Sequence, residues 1–254
     1  MRIVSYNILD GGEGRADPLA EVIEAQRPDV VGLVEATDLA VIERIARRLG
    51  MDFVHAPGRE QASALLSRFV IRESINHALL QPKLSKSLLE ATVVDERGQE
   101  WVFGVVHLHH YATEDDERQR EVELSVVREA FAPHRAGTRA HVILGDFNAN
   151  SPIQRIDSQK CKPSTRAAWE QNGGQLPRRV IQAMLNDGYI DTLHARHGEQ
   201  ASVLGTFSTQ FPGQRVDYIF VHGIDPGGIK EARIEHDRLA RYASDHFPVI
   251  AEII

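Results

Sequence analysis

The chain has 254 residues, 42% of them hydrophobic, enough for one large core or at most two small ones. Its formal net charge of −7 disfavours a protein that coats nucleic acid through bulk electrostatics, though not an enzyme that neutralises a phosphate locally. No apolar run approaches the roughly 20 residues of a membrane span, and the single cysteine, Cys161, excludes an internal disulfide.

The elements follow in chain order. The N-terminal "MRIVSYNILDGG" alternates like a strand over 2–8 and lacks the long apolar region and cleavage site of a secretory signal. With one cysteine, that sets the expectation of a cytoplasmic protein. "DPLAEVIEAQRPD" predicts a helix with Asp17 as N-cap and Pro18 at its first position. "DVVGLVE", 29–35, is a short apolar run that reads as a buried strand. "TDLAVIERIARRLG" is an amphipathic helix closed by Gly50. Strand-like pieces follow around 52–55, 63–67, 70–77, 87–95 and 100–108, and Gly98 turns the last two into a hairpin. "TEDDERQREVELSVVREAF" opens with a capping box, Thr113 to Asp116. This acidic segment is expected to face solvent, with Arg118 as the residue that could turn inward. "AHVILGD" is the next buried strand, 151–180 is polar and unassigned, "RRVIQAMLNDG" is a helix closed by Gly188, and "QRVDYIFVHG" and "HFPVIAEII" are late strands. This alternation predicts one α/β domain over 1–254 with many antiparallel hairpins.

Chemistry collects where strands end. In "HVILGDFNANSP" a buried strand runs out into Asp146 and Asn148, two residues apart and so on one face of an extended chain. Alone, that pair reads more readily as an Asx-turn. The pattern recurs: Asn7 ends "SYN", Glu35 ends "VVGLVE", and His107 ends "VFGVVH" with His109 on the same face if the strand continues. Asp217 lies inside "RVDYIF", and Asp245 and His246 stand directly before the last strand. A carboxylate among apolar neighbours is costly unless it is paired or holds a metal, and one metal-centred site accounts for all of these residues together.

"SYNI", "GLVE", "VHL", "GDFNA", "RVDYIF" and "SDHFPV", in this order, resemble the endonuclease/exonuclease/phosphatase family, the deoxyribonuclease-I-like and exonuclease-III-like metal-dependent phosphoesterases. The resemblance spans Asn7 to Pro248. It implies a four-layer α/β sandwich, two mixed β-sheets packed face to face with helices on the outside, and a site at one rim of the sheets. It also implies metal ligands Glu35, Asn7 and Asp245, and a catalytic set of His107, Asn148, Asp146 and the Asp217–His246 pair. Either Asp146 or that pair would act on the water. The oxygen ligands suit a hard divalent ion, Mg²⁺ with Mn²⁺ as a possible substitute. The implied activity is hydrolysis of a phosphodiester by in-line attack of an activated water, nuclease-like. The alternatives are a phosphomonoesterase or phospholipid/inositol-phosphate-type phosphatase on the same scaffold, and a non-catalytic binding protein.

Substrate choice lies in the loops. Residues 151–180 carry a local excess of four positive charges, including Arg155, Lys160 and Lys162. Such a loop either guides a polyanion or is simply solvated, and Trp169 within it either stacks on a base or pins the loop. His109, Arg155 and Arg215 are the candidate substrate contacts. The expected partner is a phosphoester substrate, nucleic acid among the options. No obligate protein partner is evident.

Overall fold

The computed structural model describes residues 1–137 and 139–254. In chain order its elements are β1 (Arg2–Asn7), α1 (Ala16–Ala25), β2 (Val30–Val34), α2 (Leu39–Leu49), β3 (Asp52–Pro57), β4 (Ala62–Ser67), β5 (Val70–Asn76), β6 (Ser87–Val94) and β7 (Glu100–His107). They continue with α3 (Glu114–Ala130), α4 (Ala132–Ala136), β8 (His141–Asp146), α5 (Pro163–Gln171), α6 (Arg179–Asn186), β9 (Ile190–Asp191), α7 (Thr192–His197), β10 (Asp217–His222), β11 (Ile229–Ile234), α8 (Arg238–Ala243) and β12 (Val249–Ile253).

The strands form two six-stranded sheets, ordered β11-β12-β1-β2-β4-β3 and β5-β6-β7-β8-β10-β9. Each is mixed: β1 and β2 pair in parallel, as do β7 and β8, and the other neighbours are antiparallel. The inner faces interdigitate in a core that runs from Ile3 and Val30 of one sheet to Val105 and Leu144 of the other. Gly32 faces the second sheet, and a Cβ there would lie 2.7 Å from Leu144 Cδ1, so the close approach favours glycine. Helices α1, α2 and α8 cover the outside of the first sheet, and α3 and α6 cover the second around Phe131, Phe147 and Phe220. This is the expected sandwich.

Local signals explain the element ends. Asp38 accepts the amides of Ala40 and Val41 at the start of α2, and Gly50, at φ 63°, closes it. Thr113 and Asp116 form the expected capping box on α3. One start moves: α1 begins at Ala16, so Asp17 lies in the first turn rather than capping it, where its charge still favours the helix N-terminus. On α3 the inward residue is Arg120, not Arg118. Arg118 is exposed beside Asp115, whereas Arg120 is buried, pairs with Glu117 at 3.0 Å and donates to the His109 and Tyr111 carbonyls. Three-residue spacing puts Arg120 and Glu117 on one inward stripe, which a reading of net charge misses. Segment 151–180, unassigned from sequence, contains α5.

Candidate active site

Strand direction gathers the polar residues. The parallel pairs β1–β2 and β7–β8 end at one rim, which brings Asn7 opposite Val34 and His107 opposite Asp146. Their antiparallel neighbours begin at that same rim. Asp217, first in β10, stands opposite Asp146, and Lys86 and His246 precede β6 and β12. Gly145 makes room for the turn into Asp146: at φ 137° its missing Cβ would fall 2.0 Å from the Val106 carbonyl oxygen. Glu35 and Asn148 also adopt positive φ, 57° and 49°, an uncommon state for non-glycine residues that concentrates at functional sites.

Asp146 is at the centre and 1% exposed. Its Oδ1 accepts the Asn148 backbone N–H at 2.8 Å, and its Oδ2 accepts from Asn7 Nδ2 at 3.1 Å. Asn148 Nδ2 is tied to the Leu108 carbonyl at 3.0 Å. His107 Nε2 and His246 Nε2 lie 3.5 and 3.8 Å from Asp146 Oδ2. Burial, then the negative charge of Asp217, push the Asp146 carboxyl up to about 7. His246 Nδ1 donates to Asp217 Oδ2 at 2.9 Å. Burial works against the imidazolium, but the charges of Asp217 and Asp146 outweigh it and raise His246 to about 10. At neutral pH, His246 is therefore a cation beside a carboxyl poised near neutrality.

Glu35 is held from two sides. Asn7 Nδ2 donates to its Oε1 at 3.0 Å and the Asp10 N–H to its Oε2 at 2.8 Å. Asn7 Oδ1 accepts from Leu9 N at 3.0 Å. In this arrangement Asn7 orients Glu35 and Asp146 with its amide hydrogens, and Glu35 and Asp245 line the cavity together with Asp10, Glu60 and Asp146. Asp245 pairs with Lys162 at 2.9 Å. Ligand atoms of Asp146, Asp217 and His246 also lie within 4.8 Å of one another. Two of those three residues, Asp217 and His246, are already hydrogen-bonded to each other. Glu35 and Asp245 offer carboxylate oxygens with no thiolate, a set that fits a hard divalent ion.

Two expected substrate contacts lie elsewhere. Arg215 is 0% exposed and makes a two-pronged pair with Asp191, at 2.9 and 2.6 Å, so its fork is consumed inside the core. Arg155 is exposed and outside the cavity. His109 reaches the rim but turns away: β7 stops at His107, and the His109 ring bonds Asp116 at 3.1 Å. Its neighbour His110 lines the cavity instead. Trp169 packs against Gly174 and lines neither of the cavities described here. Cys161 is buried, and burial raises its thiol to about 11, which leaves it inert.

Sequence reasoning missed Lys86. It is 5% exposed, and its Nζ donates to His107 Nε2 at 2.7 Å. Burial lowers its pKa, while the negative charges of Asp146 and Glu35 oppose that. Burial, then the charge of Lys86, hold His107 well below the ordinary imidazole range, so His107 is neutral. The available signal was topological: a lysine directly before the strand that pairs antiparallel with the one ending in His107.

These groups border a cavity of about 290 Å³. A second cavity of about 190 Å³ shares Asn148, His110 and Phe207 with it. A buried acid, a cationic histidine–aspartate pair, a lysine and a hard-ion carboxylate at the rim of a double sheet define a phosphoester hydrolase site in class. The family model for the endonuclease/exonuclease/phosphatase family matches residues 4–246, and the chain belongs to that family. It is similar in fold to an AP endonuclease from Archaeoglobus fulgidus, at 19% identity and TM-score 0.76, covering 100% of this chain and 99% of that one. It is also similar to the 3′ phosphatase NExo from Neisseria bound to a product DNA hairpin, at 22% identity and TM-score 0.73 with the same coverage. A third, a humanized TDP2 from D. rerio, shares 20% identity at TM-score 0.69, covering 100% of this chain and 98% of that one. No curated protein sequence matches the chain.

Proposed function

We propose that the protein is a divalent-metal-dependent hydrolase that cleaves a phosphodiester, nuclease-like in its chemistry. The observation that supports this reading is that the cavity lined by the buried Asp146 carboxyl, raised toward neutrality, adjoins a second cavity across Asn148, His110 and Phe207. A reacting phosphorus there has room for an ester arm on either side, as a diester requires.

Glu35 and Asp245 would hold Mg²⁺ or Mn²⁺, with Asn7 orienting Glu35, and the ion would supply positive charge to the phosphoryl oxygens. Asp146 is the base that takes the proton from the attacking water. A base near neutral pKa suits that task at physiological pH. The His246 imidazolium, kept charged by Asp217, offsets charge that builds on the phosphoryl group. Lys86, steered by neutral His107, donates to a second phosphoryl oxygen, and the amide of Asn148 fixes Asp146. The position expected to donate through His107 thus acts through the lysine it carries. We assign the protein to the cytoplasm on its cysteine content. Among the described residues, no helix is long and apolar enough to cross a membrane.

The test is hydrolysis of bis-p-nitrophenyl phosphate and p-nitrophenyl phosphate, each with Mg²⁺, Mn²⁺ or chelator. The diester is expected to turn over only with metal, and Glu35→Gln and His246→Ala are each expected to lower its rate by at least about 100-fold. Cleavage of the monoester alone makes the protein a phosphomonoesterase. Activity indifferent to both substitutions overturns the site.

A further inference from the structure

The two carboxylates assigned to the cation are held in different ways. Glu35 receives two neutral N–H groups, from Asn7 and Asp10, so its charge is oriented but not cancelled. Asp245 is the opposite case. Among the described residues its carboxylate accepts a hydrogen bond from one group alone, the Lys162 ammonium, at 2.9 Å to Oδ2. His246 Nε2 stands farther off, 4.0 Å from Oδ1. The backbone is fixed from another side, because the Asp245 carbonyl accepts the Thr209 N–H at 2.8 Å. A monovalent ammonium thus sits on an oxygen that a divalent ion would use.

Lys162 reaches that oxygen from an anchored root. It directly precedes Pro163, the first residue of α5. Arg166, one turn into α5, donates to the Ser158 and Gln159 carbonyls at 3.1 and 2.8 Å. Cys161 is buried, and Gly213 lets the turn at Lys160 press against the loop that follows Phe207: a Cβ on Gly213 would fall 2.3 Å from the Lys160 carbonyl oxygen. Beyond this root the Lys162 side chain is 36% exposed, and its ammonium has no other hydrogen-bond partner among the described residues. A second resting place is within reach. The ammonium lies 4.2 Å from the centre of the Phe207 ring, and Lys162 and Phe207 both line the second cavity.

We infer that Lys162 is a placeholder for the divalent ion: it neutralises Asp245 before the ion binds, then yields Asp245 and turns toward Phe207 and the second cavity, where it receives an anionic group of the ligand. The inference rests on the reading that Glu35 and Asp245 face the ion. Two cations do not share one carboxylate oxygen without strong repulsion, and the ion has Glu35 as a second carboxylate, which Lys162 does not touch. Lys162 therefore competes with the ion for Asp245 and, once displaced, assists it, so metal loading and anion capture are linked.

The test is calorimetry on the full chain stripped of metal and titrated with Mn²⁺, for wild type, Lys162→Met, Asp245→Asn and the double variant, with thermal melting confirming that each folds. Lys162→Met is expected to tighten Mn²⁺ about fivefold, the scale of one partly exposed ion pair. With Asp245→Asn already in place, the same change is expected to have no effect, which separates occupation of Asp245 from a general repulsion between lysine and ion. Inorganic phosphate gives the second readout. In saturating Mg²⁺ the wild type is expected to bind it about fivefold more tightly than Lys162→Met, and without metal the two are expected to bind it equally. Mn²⁺ affinities within about twofold in wild type and Lys162→Met, or the same gain in the Asp245→Asn background, overturn the placeholder. If Asp245→Asn abolishes Mn²⁺ binding, the phosphate readout decides: equal affinities in Mg²⁺, or an equal loss with and without it, refute the inference. Mn²⁺ binding that needs Glu35 but ignores Lys162 refutes this inference alone, whereas binding that Glu35→Gln leaves intact refutes the metal reading beneath it.

Discussion

Replacing Asp217 with Asn removes one negative charge while keeping the shape of the pair. Asp217 Oδ2 lies 2.9 Å from His246 Nδ1. With charge centres about 4 Å apart and an effective dielectric of roughly 20, the attraction is about 4 kcal/mol, near three pH units on His246. The same charge repels the Asp146 carboxylate. With carboxyl oxygens of the two acids within 4.8 Å, that repulsion is about 3 kcal/mol, or roughly two units. The signs differ in origin but agree in direction. Losing Asp217 lowers His246, whose cation it stabilised, and lowers Asp146, whose anion it opposed. A bell-shaped kcat/KM profile, with its acid limb set by Asp146 and its alkaline limb by His246, therefore moves as a whole toward acid by about two to three units. At pH 8.5, loss of the His246 proton alone costs about thirtyfold in rate, whereas near pH 6 the variant loses much less. The assay is diester hydrolysis from pH 5 to 10.5 at saturating Mg²⁺. The stability linkage has a matching sign: a histidine raised on folding stabilises fully below about 6.5 and loses that contribution as pH rises through about 10. The melting difference between wild type and variant is thus largest near pH 6. An alkaline limb that stays in place, or limbs that move in opposite directions, would refute the reasoning.

Three further outcomes are expected. Arg215→Met leaves Asp191 buried and unpaired, so stability falls by about 3–5 kcal/mol, and melting drops by about 6–20 °C at roughly 2–4 °C per kcal/mol. KM stays within twofold, and adding Asp191→Leu recovers part of the loss. A large KM effect would return Arg215 to the substrate. Lys86→Met lowers kcat/KM about 100-fold yet leaves the melting temperature equal or higher, because a desolvated ammonium is exchanged for an apolar chain of similar length. A drop in both would mean that Lys86 is structural. Lys162→Ser raises KM for an oligonucleotide, whereas Arg155→Ser and Lys160→Ser do not, since only Lys162 borders the cavities. Equal effects from all three would make the whole basic loop the guide.

The sequence by itself determined most of the strands, the longer helices and the residues at the strand ends. Buried runs such as "VVGLV" and "HVILG" and caps such as Asp38, Gly50 and Thr113 act through local backbone chemistry, which is legible without coordinates. The short late elements, α7, β11 and α8, escaped notice because six residues carry too little periodicity to announce themselves.

Only the tertiary structure decided which charges face the cavity. Arg215 and Arg155 looked alike as basic residues near a motif, but one is spent on Asp191 within the core and the other points to solvent. His109 would share a face with His107 only if the strand continued, and it ends at His107, two residues short. Lys86 reaches the cavity because the strand it precedes runs antiparallel to the one ending in His107. The physical reason is range. Helix caps and strand alternation are settled within a few residues along the chain, whereas the partner of a buried charge, and hence its protonation and its task, is settled by residues up to a hundred or more positions away.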